Sequence, residues 1–565
     1  MGELLRGQRK PGEVGDWVGP YAKELTAVRD KRLRRVTEEE VRAATGGTGI
    51  AVRLRMLMEV KRDLRKKCRL ILQGFREPRE WDGGVTDSPV ASMATIRSML
   101  FRCGAVGDVI SSIDITTAFL QANDYDDGIT RYVYYQPYKG AEKEYYVLTG
   151  PIYGQRAASL KFFETLRDWL VRDMGFVQGE NEPCVFVKPG GFAKGGGSDL
   201  TVATWVDDCI CRGGRADTDH FYAEMAKRFE LKDPSFLTPE ASLNFVGMDM
   251  TARQEESGLV YGINQDVALR GFLEEQGVGY NTGVKCPLPH DDVRALYGDS
   301  AMLGEEEASW YRSVIGTLNY FAIASRYDIA HSVSVLSQFS AKPTKASKKG
   351  VLRVLQYLSG SATFTIEAAN APENLRQHLM DRAANPNPDK IVNWSDSNHG
   401  GERPGTTLSQ TGIMLTLNGA PVHWSSKKQI QGTAFSSALA EVYALSDTCR
   451  AACLLAWRCE EMRMKVDWPL VVQVDSSAAI SFQRSTCLLS RIRGCVDMRE
   501  AWVRELREAR RVGTNKVSSE ENLADGLTKG MPNYKFQQWL RAVAPGRETA
   551  GVKRELAFLA SVVGA

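Results

Sequence analysis

The sequence predicts a multidomain protein of mixed α+β and α/β class, with two strand-and-helix modules separated by a strongly helical stretch. Three observations lead there. At 565 residues the chain is long enough for several domains. With 43% hydrophobic and 25% charged residues it has the balance of a globular chain that can bury a core. Apolar spacing switches between period two and period 3.6 along residues 51–255 and again from 391, whereas residues 310–360 keep the helical period alone. No apolar run approaches a membrane span, and the C-terminal "LAFLASVVGA" is too short for one. The N-terminus lacks the apolar core of a secretory signal.

Taken in chain order, residues 1–50 are polar and end Gly-rich ("ATGGTG"), and are expected to form a helical or loosely ordered extension. Residues 52–79 carry ten Lys or Arg against three acids, interleaved with Leu, Met, Val and Ile. That pattern suits a strand pair with one apolar and one cationic face, the shape that grips phosphates, although a solvated surface would read the same way. Helices are expected at "MATIRSMLFRCG", with Met93, Ile96 and Leu100 on one face, and at "ASLKFFETLRDWLVRDMG", with Phe162, Leu166, Trp169 and Leu170 inward and Gly175 as the stop. A third, "DTDHFYAEMAKRF", should open on a capping Asp or Thr. "ISSIDITTAFLQ" reads as a strand ending near Asp114. "TWVDDCICRG" reads as a hairpin with Asp207 and Asp208 at its tip. "CPLPHDD" breaks the chain before the helical stretch, where Val351, Val354, Leu355 and Leu358 keep i, i+3, i+4, i+7 spacing. "AANPNPDK" is a linker by composition. Beyond it come the strand "IVNWSD", a hairpin turning at Asn418-Gly419, the long helix "SSALAEVYALSDTCRAACLLAWRCEEM", and "PLVVQVDSSAAISF", a strand feeding a helix capped by Ser476 or Ser477. The expected units are 1–50, 51–255, 256–382, 383–390 as linker, 391–540, and a tail at 541–565. The eleven cysteines form no CxxC pair and the six histidines are scattered, so buried thiols in a reducing compartment are expected instead of zinc ligands or disulfides.

The chemistry is carried by carboxylates. Two adjacent like charges at a turn repel, and water or a bound cation must offset the cost. If the strand ending at Asp114 neighbours the hairpin, Asp114 approaches Asp207, with Asp208 beside them. Oxygen-only ligands suit Mg²⁺ or Mn²⁺. Two such ions about 3.5–4 Å apart can stabilise the attacking and leaving oxygens of phosphoryl transfer. The second module spaces Asp396, Glu441, Asp475 and Asp525 over strands and helices, the set a metal-dependent nuclease needs. A solvated hairpin tip and scattered surface acids remain the plain alternatives for any one of these residues.

The order of segments resembles the reverse transcriptase and ribonuclease H region of copia-type retrotransposon Pol polyproteins. "KCRLILQGF", "TDSPVASMATIRSML", "SSIDITTAFLQA", "YYQPYKG", "GPIYGQRAAS", "GFVQGENEPCVF", "WVDD" and "FVGMDM" follow in the family's order. So do "YRSVIGTLNYFAIASRYDIAHSVSVLSQF", then "WSDSNHGG", "VHWSSKKQ", "SSALAEVYAL", "VDSSAAI" and "NLADGLTKGM". The resemblance runs from about residue 51 to 540. It implies a right-hand polymerase (fingers and palm at 51–255, helical thumb or connection at 256–382) followed by a ribonuclease H-like mixed sheet with helices at 391–540.

It also implies roles. Asp114, Asp207 and Asp208 would bind two Mg²⁺ or Mn²⁺ ions and catalyse nucleotidyl transfer. Lys67 and Arg69 would meet the triphosphate of an incoming dNTP, Phe119 would exclude a ribose 2′-hydroxyl, and Tyr153, Gly154 and Arg156 would pack nucleotide and template. Asp396, Glu441, Asp475 and Asp525 would bind two ions and cut the RNA of a hybrid. The implied partners are RNA template, DNA primer, RNA–DNA hybrid, gag and integrase, in a cytoplasmic virus-like particle with a nuclear phase and no membrane. The chain is read either as a processed or truncated product of such a polyprotein or as a gene covering only the last third of an element. It departs from the family pattern at Gln73, Trp205 and Gln155-Arg156-Ala157-Ala158-Ser159. Two other readings stay open: a catalytically inactive copy that only binds nucleic acid, and a nuclease whose polymerase site is spoiled at Ala157 and Ser159.

Overall fold

The computed structural model describes residues 17–46, 51–60, 65–103, 108–192, 198–255, 258–281, 283–367, 389–402, 408–430, 433–485 and 498–543. Residues 383–388 of the expected linker, 544–565 of the expected tail, and 1–16 lie outside them. The mixed class is as expected, with helices arranged around four sheets.

The first sheet grows from the basic stretch. Strands β1 (Leu33–Val36), β2 (Val52–Val60), β3 (Lys66–Leu72), β5 (Arg131–Tyr135) and β6 (Glu144–Leu148) lie in the order β1-β6-β5-β2-β3. Alternation sorts the side chains: Val52, Leu54, Cys68, Leu70 and Leu72 are buried, while Arg53, Arg55, Lys67 and Arg69 stay partly or fully exposed. The described part of residues 1–50 is largely helical, one of the two forms expected of it, and it packs against the first sheet. Helix α1 (Val18–Arg32) buries Tyr21 and Val28, with Trp17 at its cap, in this sheet's core. β1 then pairs with β6, Leu33 opposite Leu148. Helix α2 (Glu38–Ala44) follows, opened by a capping box between Thr37 and Glu40. The apolar contacts of α1 are too sparse among its charges to form a visible stripe.

The second sheet runs β11-β4-β10-β9-β8-β7, from β4 (Val109–Asp114), β7 (Val177–Gln178), β8 (Val185–Lys188), β9 (Leu200–Trp205), β10 (Asp208–Gly213) and β11 (Ser235–Phe236). Helices α3 (Met93–Cys103), α4 (Ala158–Asp168) and α5 (Arg215–Arg228) belong to the same core. α4 continues through a π turn at Trp169–Asp173 and stops at Gly175, whose φ is +69°. α5 starts earlier than expected and has Gly214 at its N-cap; Asp217 accepts instead from the Phe192 amide, 2.6 Å away.

A third sheet, β12 (Leu243–Phe245), β13 (Met248–Glu255), β14 (Gly258–Asn264) and β15 (Ile366–Glu367), ties the ends of the helical region together. Between its third and fourth strands lie α6 (Asp266–Glu275), α7 (His290–Ala295), α8 (Glu305–Ala324), α9 (Ala330–Ser337) and α10 (Lys345–Ser359). In α10, Val351, Val354, Leu355 and Leu358 are all fully buried.

The fourth sheet, β18-β17-β16-β19-β20, is mixed. β16 (Ile391–Asn398), β17 (Gln410–Leu417) and β18 (Ala420–Lys428) form an antiparallel meander, and β19 (Leu470–Val474) and β20 (Val512–Lys516) add parallel strands. Helices α11 (Ser437–Glu461), α12 (Ser477–Arg484), α13 (Met498–Glu508) and α14 (Asn533–Val543) accompany it. Among the described residues no helix is long and apolar enough to cross a membrane.

Candidate active sites

The first site lies at one end of the second sheet. β4 and β10 are antiparallel neighbours in a register that sets Asp114 directly opposite Asp208. β9 and β10 are joined by the two-residue turn Val206-Asp207, and Val206 takes a φ of 56°, a conformation β-branched residues rarely adopt. The Ile115 amide donates to the Asp207 carbonyl over 2.8 Å, fastening the turn to the end of β4. Thus Asp114, Asp207 and Asp208 share one edge. Burial pushes the Asp208 carboxyl up to about 6, and the neighbouring charges of Asp207 and Asp114 add to the shift. Burial raises Asp207 as well; Asp114 adds to it, while Lys232 and Lys67 oppose it. Lys232, just beyond α5, donates to Asp114 and forms an ion pair with it.

The residues expected around a nucleotide divide into two groups. Tyr153 and Phe119 stack edge to face with ring centroids 5.1 Å apart, and burial lifts the Tyr153 phenol to about 12. Asp207 and Asp114 are among the charges acting on that phenol. Lys67 and Arg69 lie on the cationic face of β3, where Arg69 pairs with Glu59 at 2.8 Å. Gly154 has φ +85°, and a Cβ there would collide with the Leu72 carbonyl. Arg156 is committed elsewhere: its guanidinium is 3.3 Å from Glu77 and 2.7 Å from Asp82, and also donates to the Glu77 and Pro78 carbonyls.

The second site is built on the fourth sheet. Asp396 lies on β16, Asp475 directly after β19, and Glu441 in the second turn of α11. Because β16 and β19 are adjacent parallel strands, both aspartates emerge beside each other. One oxygen from each of Asp396, Glu441 and Asp475 lies within 4.8 Å of the others, the only such group among the described residues; the acids of the first site do not approach this closely. Asp525 falls outside the trio. It sits in the short helix Asp525–Leu527 and pairs with Lys529 at 2.5 Å.

Asp396 is 4% exposed and accepts a hydrogen bond from the Thr528 hydroxyl. Burial, then Asp525 and Asp475, push its carboxyl to about 7. Burial, then Asp396, push Glu441 to about 8, against hydrogen bonds from Ser397. The second oxygen of Glu441 is buried without a hydrogen-bond partner. An all-oxygen trio with one orphaned, buried oxygen is a donor set that fits a hard divalent cation. Asp475 accepts from the Ser519 hydroxyl at 2.7 Å.

Reasoning from sequence missed Lys232 and Lys529, the cations seated on one acid of each site. Lys529 had a local signal, standing four residues after Asp525; Lys232 had none, because its partner is 118 residues away.

Residues 51–288 match the family model described as "Reverse transcriptase (RNA-dependent DNA polymerase)". Among curated proteins, the chain is 25% identical over 485 residues to the retrovirus-related Pol polyprotein from transposon TNT 1-94 of Nicotiana tabacum, covering 84% of this chain and 34% of that protein. It is 26% identical over 492 residues to the corresponding polyprotein from transposon RE1 of Arabidopsis thaliana, covering 86% and 30%. It is 21% identical over 490 residues to the truncated transposon Ty1-A Gag-Pol polyprotein of Saccharomyces cerevisiae, covering 84% and 38%. The chain therefore spans about a third of the length of these relatives. Among solved structures, a foamy viral protease-reverse transcriptase in complex with double-stranded DNA aligns with 87% of this chain and 68% of its own at 11% identity and a TM-score of 0.47.

Proposed function

Starting from a chain whose relatives are copia-like Pol polyproteins, we propose that it is an RNA-directed DNA polymerase that also degrades the RNA strand of the resulting hybrid. The observation that carries this reading is the pairing, within one chain, of two oxygen-only carboxylate sites on separate sheets: Asp114 in register with Asp208, and the close trio Asp396, Glu441 and Asp475.

In this reading residues 51–255 are fingers and palm, 256–382 thumb or connection, and 391–540 the ribonuclease H-like domain. Asp114, Asp207 and Asp208 hold two Mg²⁺ or Mn²⁺ ions at the polymerase site. Asp396, Glu441 and Asp475, joined by Asp525, hold two at the nuclease site. When bound, such ions lower the pKa of an attacking oxygen and neutralise charge on the phosphate being cut. The chain's own residues do the rest. Lys67 and Arg69, on the cationic face of β3, meet the triphosphate of a dNTP. Phe119, held edge-on by Tyr153, closes the space a ribose 2′-hydroxyl would need. Gly154 lets the 153–156 segment lie against β3, and Arg156 shapes the pocket indirectly by fastening the turn at Glu77 and Asp82. At the nuclease site, Thr528 and Ser519 orient Asp396 and Asp475. The substrates are RNA template, DNA primer and RNA–DNA hybrid, with gag and integrase as associates in a cytoplasmic particle that has a nuclear phase.

Extension of a DNA primer on an RNA template with Mg²⁺ tests the first half, and cleavage of a labelled hybrid tests the second. Asp207→Asn should abolish extension and leave cleavage, and Glu441→Gln should do the reverse. Each loss should be at least ~10²-fold, the scale of removing a group that stabilises transition-state charge. Extension by the unaltered chain no greater than by Asp207→Asn would mean an inactive polymerase site. Cleavage that needs Glu441 without any extension would mean a nuclease alone.

A further inference from the structure

We infer that Lys529 sets the metal stoichiometry of the nuclease pocket, by competing with the second divalent ion for Asp525. The inference rests on the proposed function and deepens it.

Asp396, Glu441 and Asp475 already bring their oxygens within 4.8 Å of one another, so a first ion needs no rearrangement. Asp525 stands apart from that trio, with its Oδ1 2.5 Å from the Lys529 ammonium. Four acids crowded into a mostly buried pocket repel, and one internal cation offsets part of that repulsion when no metal is present. The Lys529 charge reaches beyond its partner: Asp396 and Asp475 also act on it, and with Asp525 they hold it above its ordinary value although burial pulls it down.

The pair is built so that the side chain moves and the backbone does not. Thr528, one residue before, donates its hydroxyl to Asp396, and the amide of Gly530, one residue after, donates to Glu402 over 2.8 Å. The Lys529 side chain itself is 45% exposed, so it can leave Asp525 for water without disturbing either anchor. A second ion that draws on Asp525 must displace it. The pocket therefore loads one ion readily and the second only against the lysine.

The test is Mn²⁺ binding to the full chain, followed by the electron paramagnetic resonance of free Mn²⁺. It is run in an Asp114→Asn/Asp207→Asn background that silences the first site. The expected result is one tight and one weak ion in the background chain, and a second ion tightened about tenfold by Lys529→Met, the order expected when one adjacent, partly exposed positive charge is removed. Lys529→Arg should behave as the background. Without metal, Lys529→Met should unfold at a lower temperature than the background, and Mn²⁺ should restore it. If Lys529→Met binds both ions as the background does while Asp396→Asn loses its ion, the role of Lys529 is overturned and the metal pocket stands. If Asp396→Asn binds as many ions as the background, the pocket is no metal site, and the nuclease reading falls together with the lysine's role.

Discussion

Glu441 and Asp396 keep their protons at pH values where a carboxyl in water has lost its own. Burial dominates both shifts, to about 8 and about 7, and the mutual charge of the cluster adds to it. Between their unfolded values near 4 and these folded values, the native chain binds more protons than the unfolded one. Stability without metal must then fall as pH rises through that window. The metal-free chain is predicted to melt lower at pH 8 than at pH 6, by an amount on the order of 1–3 kcal/mol. Glu441→Gln should flatten that slope, and so should saturating Mg²⁺, which favours the ionised carboxylates. Scanning calorimetry with and without chelator reads both; a slope of opposite sign in chelator would refute the assignment. The resemblance pointed to four acids, of which Asp396, Glu441 and Asp475 come together while Asp525 stands outside the trio. Which of them are buried could not be read from it, because burial of Asp396 follows from β17 and the Thr528 turn closing over β16, contacts more than ten residues away in either direction.

Elements that carry their own local instructions were legible, and those held by distant partners were not. The Asn418-Gly419 turn is an example of the first kind: both residues have positive φ, 55° and 85°, as a two-residue hairpin with right-handed strands demands. A hairpin tip was legible at Asp207-Asp208 from the alternation on either side, one residue past the Val206-Asp207 turn that forms, and the approach of Asp114 was expected if its strand neighboured the hairpin, although the register with Asp208 needed the sheet. The opposite case is α1 and β1. Four residues, Leu33–Val36, gain strand identity only from pairing with β6, more than a hundred residues later. The segment 153–156 is held the same way, since the Leu72 amide donates to the Tyr153 carbonyl over 2.7 Å and Gly154 lies flat against β3. Gly154→Ala is therefore predicted to push this segment off the strand. It combines an unfavourable positive φ with a collision against backbone, and should cost about 1–3 kcal/mol of stability. In active enzyme it should raise KM for dNTP through a displaced Tyr153. Chemical denaturation and nucleotide titration check the two effects separately, and an alanine variant as stable as the parent would show that β3 and this segment are not in contact.

At the scale of the whole molecule, the second sheet, the helical region and the fourth sheet share one continuous apolar core; α3 packs on β10, β18 and α11, and α9 packs on β18. Ion pairs and hydrogen bonds stitch the same seam. Arg97 lies over the Trp424 ring and donates to the Val422 and Ile323 carbonyls. Glu461 at the end of α11 accepts from the amides of Glu180 and Asn181. Arg102 on α3 pairs with Asp389 at 2.9 Å, just ahead of β16, and the Asp389 side chain is fully buried. Composition reads 383–390 as a linker, and Asp389 near its end is buried against this seam. A seam of this kind couples the second-sheet and fourth-sheet modules mechanically, so they should unfold together. Calorimetry is predicted to show the second-sheet and fourth-sheet modules melting in one transition. Arg102→Met should lower it by about 3 kcal/mol, because it strips a buried carboxylate of its arginine. Most of that loss should return in Arg102→Met/Asp389→Leu, which removes the buried charge along with its partner. Were the seam only a loose contact, the unaltered chain would melt in separate steps, Arg102→Met would shift neither by more than a surface pair does, and the spacing between the two candidate sites would be free to vary instead of being set by the seam.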